Sequence, residues 1–311
     1  MTTPKYLYLD GEIVLYEDAK IHVLSPAVTY AASVFEGIRG YWNAGREQLY
    51  LFRLDDHLRR LQFSMKVMRF DQEFSLDQLR DPILRLIEAN GFREDIHIRI
   101  LAYLGGEPKV QSVGPVGLAV QAGPFWPNPH IATGMSCGVS SWNRTHDNAI
   151  PPRVKATANY ANSRMAVLEA QRNGFDSSIL LTREGKVSEG PVANFFMIRN
   201  ERPITPRTTD GILESITRDT LIKLFESKLG LFTEERAVDR TEIYAAEEAF
   251  MCGSGWEITP VTSIDLLPVG DGAVGPLTRR LQEAYMAAVR GETEVADGWL
   301  TPCSAAQMAS A

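Results

Sequence analysis

Apolar and polar positions alternate, or recur at helical spacing, along most of the chain, and the two periods mark out its elements. The opening run YLYLDGEIVLYED alternates on either side of Asp10-Gly11, which predicts two short strands joined by a tight hairpin. Ser25-Pro26 opens a segment leading into SVFEGIRGYWN, extended and aromatic, and Asn43-Ala44-Gly45 turns it back into QLYLF. Leu54, Leu58, Leu61, Met65 and Met68 recur at helical spacing, so residues 54–68 are predicted as an amphipathic helix. A second helix is read in SLDQLRDPILRLIEANG, with Ser75 and Gln78 spaced as a capping box and Gly91 as its stop. Pro82 inside that pattern predicts a kink or a break. Strands at 95–104 and 116–122, separated by the loop GGEPKVQSVGP, complete a region of helices packed on a mainly antiparallel sheet.

The stretch 123–134, GPFWPNPHIATG, has three prolines and two glycines and reads as an interdomain linker between a domain at 1–122 and another at 135–311. MSCGVSSWN then predicts a strand, and ANYANSRMAVLEAQRNG a helix that stops at Gly174. The strands SSILLT and VANFFMIR flank a turn at Arg183-Glu184-Gly185. GILESITRDTLIKLFESKLG reads as a helix ending at Gly230, Gly253-Ser254-Gly255 as a loop between apolar strands, and PLTRRLQEAYMAAV as a last helix. The tail TPCSAAQMASA is small and polar and is expected to fray.

Composition narrows the picture. At 311 residues the chain can build two domains, and 44% hydrophobic with 23% charged residues is ordinary for a globular protein. Thirty-two basic against 39 acidic residues give a net charge of −7, which argues against a nucleic-acid surface. No apolar run is long enough to span a membrane, and the N-terminus lacks the apolar core of a signal peptide. Cys137, Cys252 and Cys303 are too few and too scattered for a disulfide framework or a CxxC metal site, which suits a reducing cytoplasm. No metal site is expected from the scattered histidines, and there is no GxxxxGK[ST], HExxH or GxGxxG pattern.

The candidate chemistry lies between Ser140 and Phe196. There Lys155 is followed by Tyr160 and, beyond the helix and the next strand, by Glu189. A lysine, a phenol and a carboxylate are what a protein needs to hold pyridoxal 5′-phosphate: the amine joins the aldehyde, the phenol bonds the ring's phenolic oxygen, and the carboxylate keeps the ring nitrogen protonated. Taken singly, a lysine is usually a solvated surface residue. The segments VKATANY and SEGPVANFF, together with VFEGIR, resemble the fold-type-IV aminotransferases, most closely the branched-chain amino-acid aminotransferases, over about residues 6 to 300.

That resemblance implies a two-domain α+β/α/β architecture, with a small α/β N-terminal domain and a larger C-terminal domain around a β-barrel-like core. It implies transamination of leucine, isoleucine or valine with 2-oxoglutarate, with Lys155 as covalent anchor and as acid–base. By resemblance the cofactor is bound by Arg53, Lys155, Tyr160, Glu189, Ile216, Thr217 and Ser254, with Ile216 and Thr217 in the first turn of a helix, where phosphate is favoured. Tyr30 and Phe35 correspond to the aromatic walls of the substrate pocket, and Arg99 to the arginine that takes the distal carboxylate of glutamate. The Gly255 amide would meet the substrate carboxylate, and Arg39 is a second nearby cation whose direction the sequence leaves open. A homodimer is expected, with Tyr30 serving a neighbouring subunit.

The chain also departs from the family pattern. His97 stands where branched-chain enzymes usually carry tyrosine, and the Gly-Ala-Tyr-Leu-Gly type of loop is absent near 123–130, where Phe125 or Trp126 could fill the space. ESITR replaces the PGITR of many relatives, putting Glu214 near the expected phosphate. These departures keep two other activities of the same fold in view: a D-amino-acid or (R)-amine transaminase, and a lyase resembling aminodeoxychorismate lyase.

Overall fold

The computed structural model describes residues 4–303, which fall into two compact units. One comprises the chain up to Trp126, Val154–Ala158, and the chain from Ala287 on; the other comprises Pro127–Arg153 and Asn159–Met286.

The first unit opens on a hairpin of β1 (Tyr6–Leu9) and β2 (Glu12–Leu15). Asp10 and Gly11 both take positive φ, 49° and 108°, as a two-residue turn with the strands' own twist requires. A short helix α1 (Pro26–Thr29) precedes β3 (Ser33–Asn43) and β4 (Gln48–Phe52), followed by helices α2 (Leu54–Val67) and α3 (Leu76–Asn90) and strands β5 (Ile96–Leu104) and β6 (Val116–Pro124). The chain's last strand, β15 (Leu300–Cys303), adds to β4 at the sheet edge. The seven strands run β15-β4-β3-β5-β6-β1-β2, every neighbouring pair antiparallel. Thr301, Pro302 and Cys303 are thus paired where fraying was expected; the rest of that tail, from Ser304, lies outside the described residues.

Alternation along β3 and β5 divides the sheet's faces. Val34, Ile38, Ile96, Ile98, Ile100 and Ala102 point into a core shared with Leu54, Leu58 and Leu61 of α2 and Leu79, Ile83 and Leu86 of α3. Helix α3 begins at the Ser75–Gln78 capping box and ends at Gly91 in the left-handed conformation. It continues past Pro82 without the break that was one of the two outcomes predicted there. An interior proline costs about 3 kcal/mol, but each of the large side chains on the buried face contributes roughly 1.5–3 kcal/mol. Packing wins.

The second unit contains β7 (Met135–Asn143), α4 (Asn159–Arg172), β8 (Ser177–Leu181), β9 (Asn194–Arg199), β10 (Arg202–Thr205), α5 (Ile216–Leu229), β11 (Glu234–Glu235), β12 (Glu248–Gly253), β13 (Glu257–Ile264), β14 (Leu267–Pro268) and α6 (Pro276–Val289) up to Met286. Its sheet runs β11-β10-β9-β12-β13-β7-β8, with β14 paired to β13; β7 lies parallel to both neighbours, β13 and β8. Phe196 and Phe250 stack at 5.0 Å on adjacent strands, and Phe225 of α5 covers both. Helix α5 starts at Ile216, five residues later than the apolar pattern from Gly211 suggests.

The start of α6 is held from the sheet. Glu248 on β12 accepts from the Leu277 and Thr278 amides, at 2.9 and 2.7 Å, and from the Thr278 hydroxyl at 2.7 Å, so a buried carboxylate caps a helix N-terminus. That approach requires Gly275, because a Cβ there would collide with the Glu248 side chain. Gly275→Ala is expected to cost roughly 1–3 kcal/mol, read as a lowered midpoint in thermal unfolding; an unchanged midpoint would contradict the packing described.

Candidate active site

In the first unit, Lys155 sits on a short extended segment laid against β3. Ala156 bridges Val34, the Phe35 amide donates to the Lys155 carbonyl at 3.0 Å, and the Thr157 amide donates to the Ser33 carbonyl at 3.0 Å. On the other side the Lys155 amide donates to Ser64 Oγ of α2 at 3.3 Å. Val154 and Ala156 are buried in the core, so alternation turns Lys155 to the opposite side. Its Nζ lies 5.0 Å from the centre of the Phe35 ring, and the Arg99 guanidinium is also 5.0 Å from that ring.

Register gathers the rest of this group. Gly37 pairs with Arg99 and Arg39 with His97, so Phe35, Gly37, Arg39, His97 and Arg99 share the sheet face away from the core. Gly37 leaves room for the His97 ring, whose Nε2 would lie 3.1 Å from a Cβ at that position. Burial, and after it the charges of Arg39, Arg99 and Lys155, push His97 down to about 4, so its imidazole is uncharged at neutral pH. The direction of Arg39, open from the sequence, is fixed here: it is buried against the rings of Phe125 and Tyr41. Phe125 therefore packs onto Arg39, whereas Trp126 is 64% exposed.

Two further predicted residues of this unit stand elsewhere. Arg53 caps α2 in a left-handed conformation, φ 50°, and is buried rather than solvated; its Nε donates to Asp56 at 2.6 Å and its guanidinium lies over Trp299. Tyr30 is 47% exposed after α1, and its hydroxyl donates to the Pro108 carbonyl at 3.2 Å.

In the second unit the centre is Glu189. The chain folds back after β8 so that Val187 bridges Leu181 and Glu189 bridges Asn194. The Glu189 carboxylate is buried, with Oε1 2.8 Å from Arg144 Nη2 and Oε2 accepting from Asn194 Nδ2 at 2.9 Å and the Leu213 amide at 3.1 Å. Three donors, one of them charged, favour the ionised acid. The Leu213 amide and carbonyl are held by Glu189 and Asn194 ahead of the helix, and Ser215 then caps α5 by accepting from the Arg218 amide. Ile216 and Thr217, both buried, thus form a helix start beside the acid, and a helix start directs its first amides outward. Glu214 is drawn aside by Arg153, at 2.7 Å.

The turn holding Ser254 and Gly255 joins β12 to β13 at the same sheet end, since Cys252 pairs with Asn194. A Cβ at Gly255 would meet nothing within 4 Å, so the unit's own packing does not demand glycine there; the turn keeps open space. Tyr160, half-buried, is the second residue of α4, which packs on β7 and β8.

Arg144, Asn194, Ser64 and the group of buried Glu36 and His57 with half-buried Arg60 escaped the sequence reading. Arg144 carries no local signal, since its partner arrives only when the chain after β8 folds back. Glu36 did leave one: an acid at an inward position of an alternating strand requires a buried partner.

Two expectations follow. Arg144→Met should cost roughly 3–5 kcal/mol by stranding Glu189, and Glu189→Gln in the same chain should recover part of it; a loss below 1 kcal/mol in urea unfolding would contradict the pairing. His97 binds its proton near 6.5 when unfolded and near 4 when folded. The unfolded chain therefore holds more protons in between, and stability falls as pH drops through that window. His97 accounts for roughly 2–3 kcal/mol of the loss between pH 7 and 4.5. Lowered His57 acts in the same sense, and Glu36, held down to about 2, adds a loss below 4.5. In urea unfolding at both pH values, His97→Phe should shrink the difference; an equal difference in both proteins would contradict the assignment.

Comparison with known proteins places the chain in a family. The sequence profile described as Amino-transferase class IV matches residues 33–264. The chain is 38% identical over 300 residues to the probable branched-chain-amino-acid aminotransferase of Aquifex aeolicus (strain VF5), covering 96% of each chain. Among solved structures, the branched-chain amino acid aminotransferase of Thermobaculum terrenum in its PLP form superposes with a TM-score of 0.92 at 42% identity, covering 98% of this chain and 100% of that one. The branched-chain aminotransferase of Thermoproteus uzoniensis with norvaline also gives 0.92, at 40% identity, covering 97% and 100%. Identity and superposition of this extent over nearly the whole length show that the chain belongs to the branched-chain-amino-acid aminotransferases of amino-transferase class IV, with the fold-type-IV architecture.

Proposed function

We propose that this chain is a pyridoxal-phosphate-dependent aminotransferase that moves the amino group between branched-chain L-amino acids and 2-oxoglutarate. The observation that carries the reading is Glu189, a buried acid held ionised by Arg144 beside a helix start. Such an acid suits a protonated ring nitrogen. The helix start at Ile216 and Thr217, the open turn at Ser254 and Gly255, and the Arg53 guanidinium are donors of the kind a phosphate dianion takes. The residues present therefore fit the cofactor.

Bound pyridoxal phosphate supplies an aldehyde to receive the amino group and a ring that withdraws electrons from the substrate α-carbon. Lys155 Nζ would anchor it, and as a free amine would carry the proton that leaves the substrate α-carbon. Its Nζ lies 5.0 Å from the centre of the Phe35 ring, on the same sheet face as Arg99. Glu189 would hold a proton at the ring nitrogen, and Tyr160 would bond the phenolic oxygen. Phe35 gives the substrate side chain an apolar wall, Arg99 takes the distal carboxylate of glutamate, and the Gly255 amide meets the α-carboxylate. Uncharged His97 lines the same face and lets it accept an aliphatic chain, while Arg39, stacked under Phe125, shapes its far end.

Ile21, Val23, Leu24, Val28 and Tyr30 expose apolar surface along one short segment, which supports a homodimer in which Tyr30 serves the neighbouring subunit. The three cysteines are free and buried, in keeping with a reducing cytoplasm.

Borohydride treatment of the coloured protein, followed by peptide mapping, is expected to fix the cofactor at Lys155 alone, and Lys155→Ala to lose at least about 10³-fold in turnover of L-leucine with 2-oxoglutarate. Faster turnover of D-alanine or (R)-1-phenylethylamine than of L-leucine would overturn the substrate assignment.

A further inference from the structure

Glu36 breaks the pattern of the first unit. It lies on β3 between Val34 and Ile38, on the face that alternation gives to the core. Its carboxylate, fully buried, accepts from Arg60 Nε and Nη2, each at 2.7 Å, and meets His57 Nδ1 at 2.7 Å. Burial alone would push this acid up; the charge and hydrogen bonds of Arg60, with the hydrogen bond from His57, hold it down to about 2. It is therefore an acceptor only, and the Nδ1 proton belongs to His57. Burial first, and then the charges of Arg60 and Lys155, keep His57 below its ordinary value, so the ring is neutral. One negative and one positive charge remain, closed by an uncharged ring.

Such a group is poorly explained by stability, since apolar side chains of similar volume hold a core as well or better. Its place is informative. His57, Arg60 and Ser64 follow one another at i, i+3 and i+7 on one face of α2, and Ser64 Oγ accepts from the Lys155 amide at 3.3 Å. Glu36 adjoins Phe35, whose amide donates to the Lys155 carbonyl at 3.0 Å. Lys155 is thus suspended between the two elements that the buried group ties together.

We propose that Glu36 and Arg60, closed by His57, are positioning residues that act through Lys155: their balanced charges set the proton affinity of its amine. This rests on the reading of Lys155 as the reacting amine. Within a dry interior an unbalanced charge is felt over several ångströms, whereas a matched pair leaves little field. The other charged or titratable groups of this unit facing the lysine are Arg39 on β3 and His97 and Arg99 on β5, and none of them changes in the test.

The test uses the full chain freed of cofactor, so that it reads the amine and not turnover. Reductive methylation with formaldehyde and cyanoborohydride across a pH series, with peptide mapping, gives the midpoint at which Lys155 becomes reactive. Glu36→Gln leaves Arg60 unbalanced and is expected to lower that midpoint by roughly one unit; Arg60→Gln should raise it by about as much. The double variant should return it to within about 0.3 unit of the parent. Shifts of the same sign in both single variants, a double variant as displaced as either, or no shift in any of them overturns the proposal. Glu36→Gln is the variant more prone to misfolding, because it strands Arg60. Arg60→Gln is milder, since Glu36 keeps its hydrogen bond from the neutral His57 ring and the glutamine amide can donate where the guanidinium did. If only Arg60→Gln folds, a raised midpoint supports the proposal and an unchanged or lowered one overturns it. Either failure leaves the aminotransferase reading standing; that reading falls instead if borohydride does not fix the cofactor at the parent's Lys155.

Discussion

A carboxylate with almost no access to water is the constraint around which the second unit is arranged. Moving an ion of that size out of water still costs several kcal/mol after the protein relaxes, so Glu189 keeps its charge only if partners replace the solvent. They come from three separate places: Arg144 just past β7, Asn194 at the first position of β9, and the Leu213 amide on the approach to α5. The parallel pairing of β7 with β8, the fold-back after β8 and the late start of α5 are each needed to bring one of them in. The same late start sets the helix terminus of Ile216 and Thr217 three residues from a group that binds the acid. A helix end and a buried carboxylate are thereby built from one short stretch of chain.

The first unit solves a related problem with a sheet. Alternation along β3 sends Val34, Glu36 and Ile38 toward the helices and Phe35, Gly37 and Arg39 the other way. The outward face collects cations around Phe35 and keeps His97 neutral among them; the inward face holds a charge-balanced group against α2. Lys155 is bonded through its backbone to the strand on one side and the helix on the other, so its side chain takes its direction from both.

Much of this was legible in the sequence. Helical spacing from Leu54 to Met65, the Ser75–Gln78 box, the Gly91 stop and the Asp10-Gly11 hairpin are local signals, and each forms as its chemistry predicts. The family was readable from the motifs around Lys155, Tyr160 and Glu189, which are proposed as site residues on that resemblance. What was not legible depends on residues far apart in the chain. Pro82 stays helical because the buried face of α3 outweighs its cost. Cys303 is paired because β4 offers an edge that no pattern in the tail announces. Arg144 gains its meaning only from a fold-back some forty residues later. Phe125 and Trp126 could not be told apart until the sheet placed Arg39 beneath one of them.

The proposed function requires Glu189 to keep a proton on the nitrogen of the bound cofactor ring. Nitrogen-15 NMR of the protein loaded with ring-labelled pyridoxal phosphate measures that proton directly. A pyridinium resonance at neutral pH, persisting well into the alkaline range, is the predicted result. A neutral pyridine resonance at neutral pH, in a protein that still binds the cofactor, would contradict the account.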